Sequence, residues 1–528
     1  MRDKRTLRRV AMATGIGLVA GLGITAGFGL PAYAGGGHSG GHGGGHGPGK
    51  GNSSLADAVK ADAIVAHLDA LQAIADANDG TRAAGSAGHI AAAEYIEQQL
   101  RDAGYDPVRQ PFSYDQFVEN SSAFEQLTPT ATSYVDQTDY DVMDYSGSGD
   151  VSAVVTPVDI NLAGDRASTS GCEAEDFAGF TAGEIALLQR GTCDFRTKID
   201  NAAAAGAAAA IVFNQGNVVE GDDRLGLVLG TLATPQAAIP AIGTTFAIGE
   251  GFAATETTLR IQVDGTTQAI ETFNVLADAP AKTKGKHSAP EIVVVGGHLD
   301  SVAEGPGIND NGSGSGAILE TAIQLAKSKL KPQNTVRFAF WSGEEDGLVG
   351  SAYYVSQLTD ADIAQHAVNL NFDMVASPNF VRFVYDGDGS AFGSEGPEGS
   401  AEVEQLFTKF FAKQGLATEE TAFDGRSDYN AFIEAGIPAG GLFTGAEGVK
   451  SDEQAAVFGG TAGEPFDPCY HQACDTSANI NVDVLDEMAD GIAYATQHYA
   501  DVKAGKGHGH GHGHGHGDSD NRGHHSRR

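Results

Sequence analysis

The sequence predicts an α/β protein: a doubly wound, mostly parallel sheet, interrupted by a separate β-rich module. Three observations carry that prediction. Beyond Thr272 short apolar runs alternate with segments of helical period, the pattern of strands joined by crossover helices. Between about Ala56 and Leu100 apolar residues recur at helical spacing. From about Glu119 to Gln268 the chain turns to Val, Thr, Ala and Gly, with many short apolar runs.

Taken in order, the first 34 residues read as a secretory signal. A basic stretch (Arg2, Lys4, Arg5, Arg8, Arg9) precedes an apolar run and Ala32-Tyr33-Ala34, after which cleavage is expected. The Arg8-Arg9 pair suits twin-arginine export, but the rest of that motif is poor, so the route stays open. Residues 35–53 are almost all Gly, His, Ser and Lys, a linker composition that cannot bury a core. Residues 54–118 open the doubly wound domain with two helices split at Asn78-Asp79-Gly80. Ile64, Leu68, Leu71 and Ile74 mark the first; Ala92, Tyr95, Ile96 and Leu100 mark the second. Residues 119–268 form the inserted module, with strand-like runs at Ile185–Leu188 and Ala209–Phe213. Residues 269–503 complete the main domain. Strands are expected at Ile292–Val295, Val336–Phe340, Leu370–Phe372 and Phe383–Tyr385, and helices at about Ser315–Lys329 and Ala401–Gln414. Residues 504–528 are a second Gly/His-rich tail. Such tracts either bind divalent metal loosely or act as solvated spacers.

Composition narrows the function. A formal net charge of -36 argues against nucleic acid or an anionic membrane as partner, because both need clustered Lys and Arg. No segment after the signal has about 18 uninterrupted apolar residues, so the mature protein is not expected to span a membrane. Four cysteines in an exported chain fit two disulfides, Cys172 with Cys193 and Cys469 with Cys474. Free buried thiols or zinc ligation are the alternatives; the lack of a Cys-x-x-Cys spacing weighs against the latter.

In an open α/β sheet the site lies at the carboxyl ends of the strands, and here those positions are rich in metal-ligating types. Ile292–Val295 runs into Gly296-Gly297-His298-Leu299-Asp300. Val336–Phe340 runs into Trp341-Ser342-Gly343-Glu344-Glu345, and Leu370–Phe372 ends at Asp373. Asp310 sits in a turn-rich Gly307–Gly314 loop before a helix. A lone histidine at a strand end is usually a satisfied structural residue. The argument is the coincidence at successive strand ends, together with adjacent carboxylates that would be costly to bury without cations.

Five ordered segments then become specific: Gly297-His298-Leu299-Asp300-Ser301, Gly307–Gly314, Gly343-Glu344-Glu345, Asn371-Phe372-Asp373-Met374 and Cys469–Asp475. Together they resemble the motifs of secreted bacterial di-zinc aminopeptidases, most closely the streptomycete leucyl type. The likeness also takes in Gly425-Arg426-Ser427-Asp428 and Gly440–Gly445 and spans about Ala56–Val118 and Thr272–Tyr499. The resemblance implies a zinc-exopeptidase fold with two zinc ions per chain. Asp310 would bridge them, His298 and Asp373 completing one site and Glu345 and His471 the other. It further implies Glu344 as general base, Tyr470 as hydrogen-bond donor to the developing oxyanion, and Asp300 behind the metal, orienting His298. Imidazole and carboxylate suit zinc, and three protein ligands per ion leave a position for a shared water. Asp486 and Asp490 match a possible calcium site, although the amino-terminal partner, Asp57 or Asp62, aligns poorly; an ordinary solvated helix face is the plainer reading.

A carboxylate surface at Glu344 and Asp373 suits a substrate ammonium group, so peptides with a free amino terminus are the expected partners. A carboxypeptidase of this fold should offer arginines, and only Arg426 stands in a motif position. Met374 and Phe443 are candidate walls of an apolar pocket, or core, which favours a large first residue such as Leu. Gly183–Phe195, followed by Lys198 and Ile211–Asn214, is similar to the protease-associated domain, inserted in this family into the catalytic domain, where it would cover or narrow the site or engage substrates. The expectation is a secreted enzyme, with a monomer favoured and the oligomeric state left open by the sequence. A receptor-like relative without metals is disfavoured by the intact ligand set, and a zinc scavenger would place the function in the tails.

Overall fold

The computed structural model describes residues 54–219, 222–233, 235–281 and 290–501; the expected signal segment and both Gly/His-rich tails lie outside the described residues. After a short turn of helix at Leu55–Ala58, α1 (Ala61–Asp76) and α2 (Ala87–Ala103) flank Asn78-Asp79-Gly80, where Asp79 and Gly80 are left-handed at φ 60° and 82°. Ser86 starts α2 by accepting a hydrogen bond from the His89 amide, and Gly104 ends it at φ 96°.

Next comes β1 (Val108–Thr128), a 21-residue strand. Within the module follow β2 (Gly149–Pro157), β3 (Ile185–Gln189), α3 (Phe195–Ala204), β4 (Ala209–Phe213), β5 (Ala241–Thr244) and α4 (Phe246–Ala254). The returning strand is β6 (Thr258–Ala279). β2, β3, β4 and β5 are parallel neighbours in that order, so the module is itself α/β and not only β. Its faces follow the period of two: Ile185, Leu187 and Ile211 enter one core cluster, Ala186, Leu188 and Val212 the other.

β1 and β6 pair antiparallel from Val108↔Leu276 to Thr128↔Thr258. The chain therefore enters and leaves the module within strands, and positions 118/119 and 268/269 are not loops. Composition changes along this ribbon while the secondary structure continues, because most of its residues are exposed or half-buried on both faces.

The main sheet continues with β7 (Ile292–His298), α5 (Gly314–Lys327), β8 (Thr335–Trp341), α6 (Val349–Ser356), β9 (His366–Phe372) and β10 (Phe383–Tyr385). It closes with α7 (Ser400–Gln414), β11 (Glu419–Thr421), β12 (Ala439–Phe443) and α8 (Val482–Asp501). The strand order is β11-β10-β12-β9-β7-β8-β6. Neighbours from β8 through β7 and β9 to β12 are parallel; β6 and β10 join antiparallel. Val293 and Val295 pack towards α1, α2, α5 and α8, whereas Val294 and Trp341 pack towards α6 on the other face. Full burial of such side chains contributes about 1.5–3 kcal/mol each, and a sheet covered on both faces leaves only its strand ends for polar chemistry. No helix among the described residues is long and apolar enough to cross a membrane. Both disulfides are formed, Cys172–Cys193 with Cα atoms 5.8 Å apart and Cys469–Cys474 with 5.3 Å.

Candidate metal centre

His298 ends β7, Asp373 directly follows β9, and Glu344 and Glu345 follow β8. Gly297 permits the crowding of these ends: a Cβ there would lie 2.5 Å from the Phe372 carbonyl oxygen. His298 Nε2 is 3.3 Å from Asp310 Oδ1, 3.3 Å from Asp373 Oδ1 and 3.9 Å from Glu344 Oε2. His471 Nε2 is 3.3 Å from Asp310 Oδ2 and 3.0 Å from Glu345 Oε2. Asp310 thus turns one oxygen to each histidine.

The surroundings explain how these groups hold their places. Asp300 has Oδ1 3.8 Å from His298 Nδ1, but the shorter contact of Nδ1, 3.2 Å, is to the Asp300 main-chain carbonyl. The Asp300 carboxylate accepts from the amides of Glu344 and Glu345 at 3.4 Å each, so it steadies the carboxylate loop, while the main-chain carbonyl of the same residue meets the imidazole. Ser427 donates to Asp373 Oδ2 at 2.7 Å. His471 is left-handed at φ 56°, a conformation that costs a non-glycine residue about 1 kcal/mol or more, within the loop that Cys469–Cys474 closes.

Sequence reasoning missed two supports. Asp475 lies within a quoted motif but received no role; its oxygens accept from the amides of Asn309 and Asp310 at 2.8 and 2.9 Å. Arg82, fully buried between α1 and α2, donates to the carbonyls of Leu299, Pro306 and Gly307, clamping the loop between His298 and Asp310. Its partners lie more than 200 residues away along the chain, so no local pattern announces it. Burial lowers the Arg82 pKa to about 10.

Burial dominates the electrostatics. It pushes Glu344 well above the carboxylate range, and, reinforced by the charge of Asp310, it pushes Glu345 up to about 8. Against its own desolvation, His471 rises to about 10 through hydrogen bonds to Asp310 and Glu345. His298 rises likewise, against its burial, beside Asp373 and Glu344. Glu345 Oε1 is buried without a hydrogen-bond partner. Ligand atoms of His298, Glu344 and Asp373, and those of His298, Asp310 and Glu345, lie within 4.8 Å of one another in each set. Carboxylates this crowded call for cations, and the donor set of imidazole and carboxylate fits zinc.

Asp310, Glu344, Glu345, Asp373 and His471 open on a cavity of about 560 Å³. Met374, Phe383, Phe443 and Phe466 supply its apolar walls, and Tyr470 and Arg426 also line it. Tyr470 and His471 stack with ring centroids 3.8 Å apart. Arg426 pairs with Glu447 at 2.8 Å and donates to the Tyr470 hydroxyl at 3.4 Å. None of these lining residues falls within 119–268. The calcium candidates lie apart from this cavity: Asp486 accepts from the Ala61 amide at 3.1 Å, and burial, then the charge of Asp486, raises Asp490 to about 6.

An α/β sheet that gathers histidines and carboxylates at its strand ends beside a cavity is that of a metal-dependent hydrolase. The peptidase family M28 model matches residues 274–496, and the PA domain model matches 152–251. An aminopeptidase of Pseudomonas aeruginosa is 47% identical over 441 residues, 83% of this chain and 80% of that protein. Leucine aminopeptidase 2 of Trichophyton rubrum is 39% identical, covering 84% and 85%. Among solved structures, an aminopeptidase from Aneurinibacillus sp. strain AM-1 superposes with a TM-score of 0.67 at 26% identity, over 85% of this chain and 95% of that one. The chain therefore belongs to the aminopeptidases of peptidase family M28 that carry an inserted PA domain.

Proposed function

We infer that the enzyme is a secreted two-zinc aminopeptidase that removes large hydrophobic amino-terminal residues such as Leu. The observation that carries this reading is the charge lining of the cavity. Asp310, Glu344, Glu345, Asp373, Asp424 and Glu447 face it, while Arg426 is the one guanidinium or ammonium among its lining residues and is paired with Glu447. Such a cavity favours a substrate ammonium over a carboxylate. The apolar walls at Met374, Phe383, Phe443 and Phe466 then receive the first side chain.

His298 and Asp373 would hold one zinc, Glu345 and His471 the other, with Asp310 between them. Bound there, the ions would polarise the scissile carbonyl and acidify the attacking water. Glu344 takes the proton of that water on its carboxylate and later passes it to the leaving amine. Tyr470 donates its hydroxyl proton towards the developing oxyanion. The Arg426 guanidinium donates to the same phenol oxygen, which leaves the phenol proton free to point elsewhere. Asp300 keeps His298 and the Glu344–Glu345 amides in register. Residues 119–268 constitute the inserted module in this reading, and secretion rests on the expected signal and the two disulfides. Calcium at Asp486 and Asp490 would share the Asp486 carboxylate with the Ala61 amide, which bonds to Oδ1; a thermal shift with added calcium checks it.

The test is leucine release from a Leu-terminated peptide and its amino-terminally acetylated counterpart. Cleavage of the free peptide alone, lost in Glu344→Ala and in chelator-treated protein, is expected. Equal cleavage of the acetylated peptide would overturn the aminopeptidase reading.

A further inference from the structure

The loop that carries Glu344 and Glu345 is held from an unexpected direction. It runs from the end of β8 at Trp341 to the start of α6 at Val349, and Gly347 and Leu348 line the cavity with the two glutamates. Its next carboxylate, Asp346, is not among the residues lining the cavity and meets β1. There Tyr114 donates its hydroxyl to Oδ2, and the Gln116 amide donates to Oδ1 at 2.6 Å. Tyr114 and Gln116 are two apart, so they share one face of the strand. Gly343, left-handed at φ 75°, brings the loop against the Tyr114 ring, which a Cβ at 343 would meet at 3.2 Å.

The same stretch of β1 also meets the module. The Tyr145 hydroxyl donates to the Asp115 carbonyl at 2.5 Å, and the Phe117 and Tyr145 rings lie 5.9 Å apart. Asp144 is pushed up to about 6 by burial and then by the charge of Asp346. On the same face as Tyr114 and nearer the start of the strand, Phe112 stacks on Tyr353 of α6 with centroids 5.0 Å apart. One segment of strand is therefore fixed to the module, to α6 and to the carboxylate loop.

We propose that Asp346, Tyr114 and Gln116 are positioning residues for catalysis, through which the inserted module sets the placement of Glu344 although it contributes nothing to the cavity wall. Two donors on the two oxygens of one carboxylate fix both the position and the rotation of the loop. The proposal rests on the role given to Glu344 above. Misplacing a reacting group by about 1 Å can cost about 100-fold in rate, so the effect belongs in kcat rather than in KM.

The experiment compares Asp346→Ala, Asp346→Asn and the double variant Tyr114→Phe/Gln116→Leu with the wild-type enzyme. Arg260→Ala is the control, since it removes ion pairs to Asp150 and Glu125 elsewhere in the module. Readouts are kcat and KM for leucine release, zinc per chain, and hydrogen exchange at the Glu344–Gly347 amides. Asp346→Ala and the double variant should lower kcat about 10- to 100-fold with KM and zinc content unchanged and with faster exchange at those amides. Asp346→Asn, which still accepts from Gln116, should recover part of the loss, and the control should match wild type. Unchanged kcat in Asp346→Ala, or a fall in zinc that parallels the fall in kcat, overturns the proposal. If Glu344→Ala keeps full activity, the assignment of the base fails, while the exchange rates still decide whether the contact holds the loop.

Discussion

The main domain and the inserted module each build a mostly parallel run of strands, joined through β6 into one sheet path, and their strand ends are furnished in opposite ways. In the module the carboxyl ends of β3 and β4 carry the buried amides Gln189, Asn214 and Gln215. Gln189 donates to the carbonyls of Asn161 and Gln215, Asn214 to that of Gly226, and Gln215 to that of Arg166. In the main domain the equivalent ends carry His298, Glu344, Glu345 and Asp373, which face one another. Neutral amides satisfied by backbone and by the Arg190 and Arg224 guanidiniums make a closed end; carboxylates that crowd each other make a site that needs cations. Architecture alone therefore does not locate function.

Substitutions on the two sides should differ most in activity. Glu344→Gln should lower kcat about 100- to 10,000-fold while retaining zinc, as expected for loss of a general base; stopped-time leucine release with zinc analysis checks it. Tyr470→Phe keeps the ring stack on His471 and removes only the hydroxyl, so kcat should fall about 100-fold with little change in KM. On the module side, Gln189→Leu should leave kcat untouched. It should cost about 1–3 kcal/mol for each buried group left unpaired, measured as a shift of the urea midpoint.

The two regions should also answer pH over different windows. His89, buried beneath β6 in the main domain, has its pKa lowered from 6.5 to about 3 by burial and then by the charge of Arg82. The unfolded chain binds this proton first, so stability is full above about pH 6.5 and falls as pH drops towards 3, by about 1.4 kcal/mol per unit crossed. Lys198 in the module is lowered from 10.5 to about 8 by burial. Its contribution is full above 10.5 and is lost as pH falls to about 8, the smaller effect of the two. Urea midpoints of His89→Leu and Lys198→Met should flatten the acid and alkaline windows respectively. A flat wild-type profile in either window would contradict the burial argument for that residue.

The strands were legible because Val293–Val295 and Phe338–Phe340 are continuous apolar runs, and the motifs just beyond them pointed to side chains that the structure brings together, His298, Glu344 and Asp373. The split at Asn78-Asp79-Gly80 was legible from turn chemistry alone. What escaped depends on partners distant in sequence. Arg82 reads as one polar residue between two helices, and only folding brings it to the Leu299, Pro306 and Gly307 carbonyls. The contact of Tyr114 and Gln116 with Asp346 spans more than 200 residues in the same way. The β1–β6 ribbon hid the module's edges because composition changes along it while strand geometry does not.

Whether Asp310 stands between two metal ions is decided by anomalous diffraction at the zinc edge from crystals of active protein. Two peaks about 3.5–4 Å apart are expected, one beside His298 and Asp373, the other beside Glu345 and His471, with Asp310 shared. A single peak, or a second one away from His471, would contradict that arrangement.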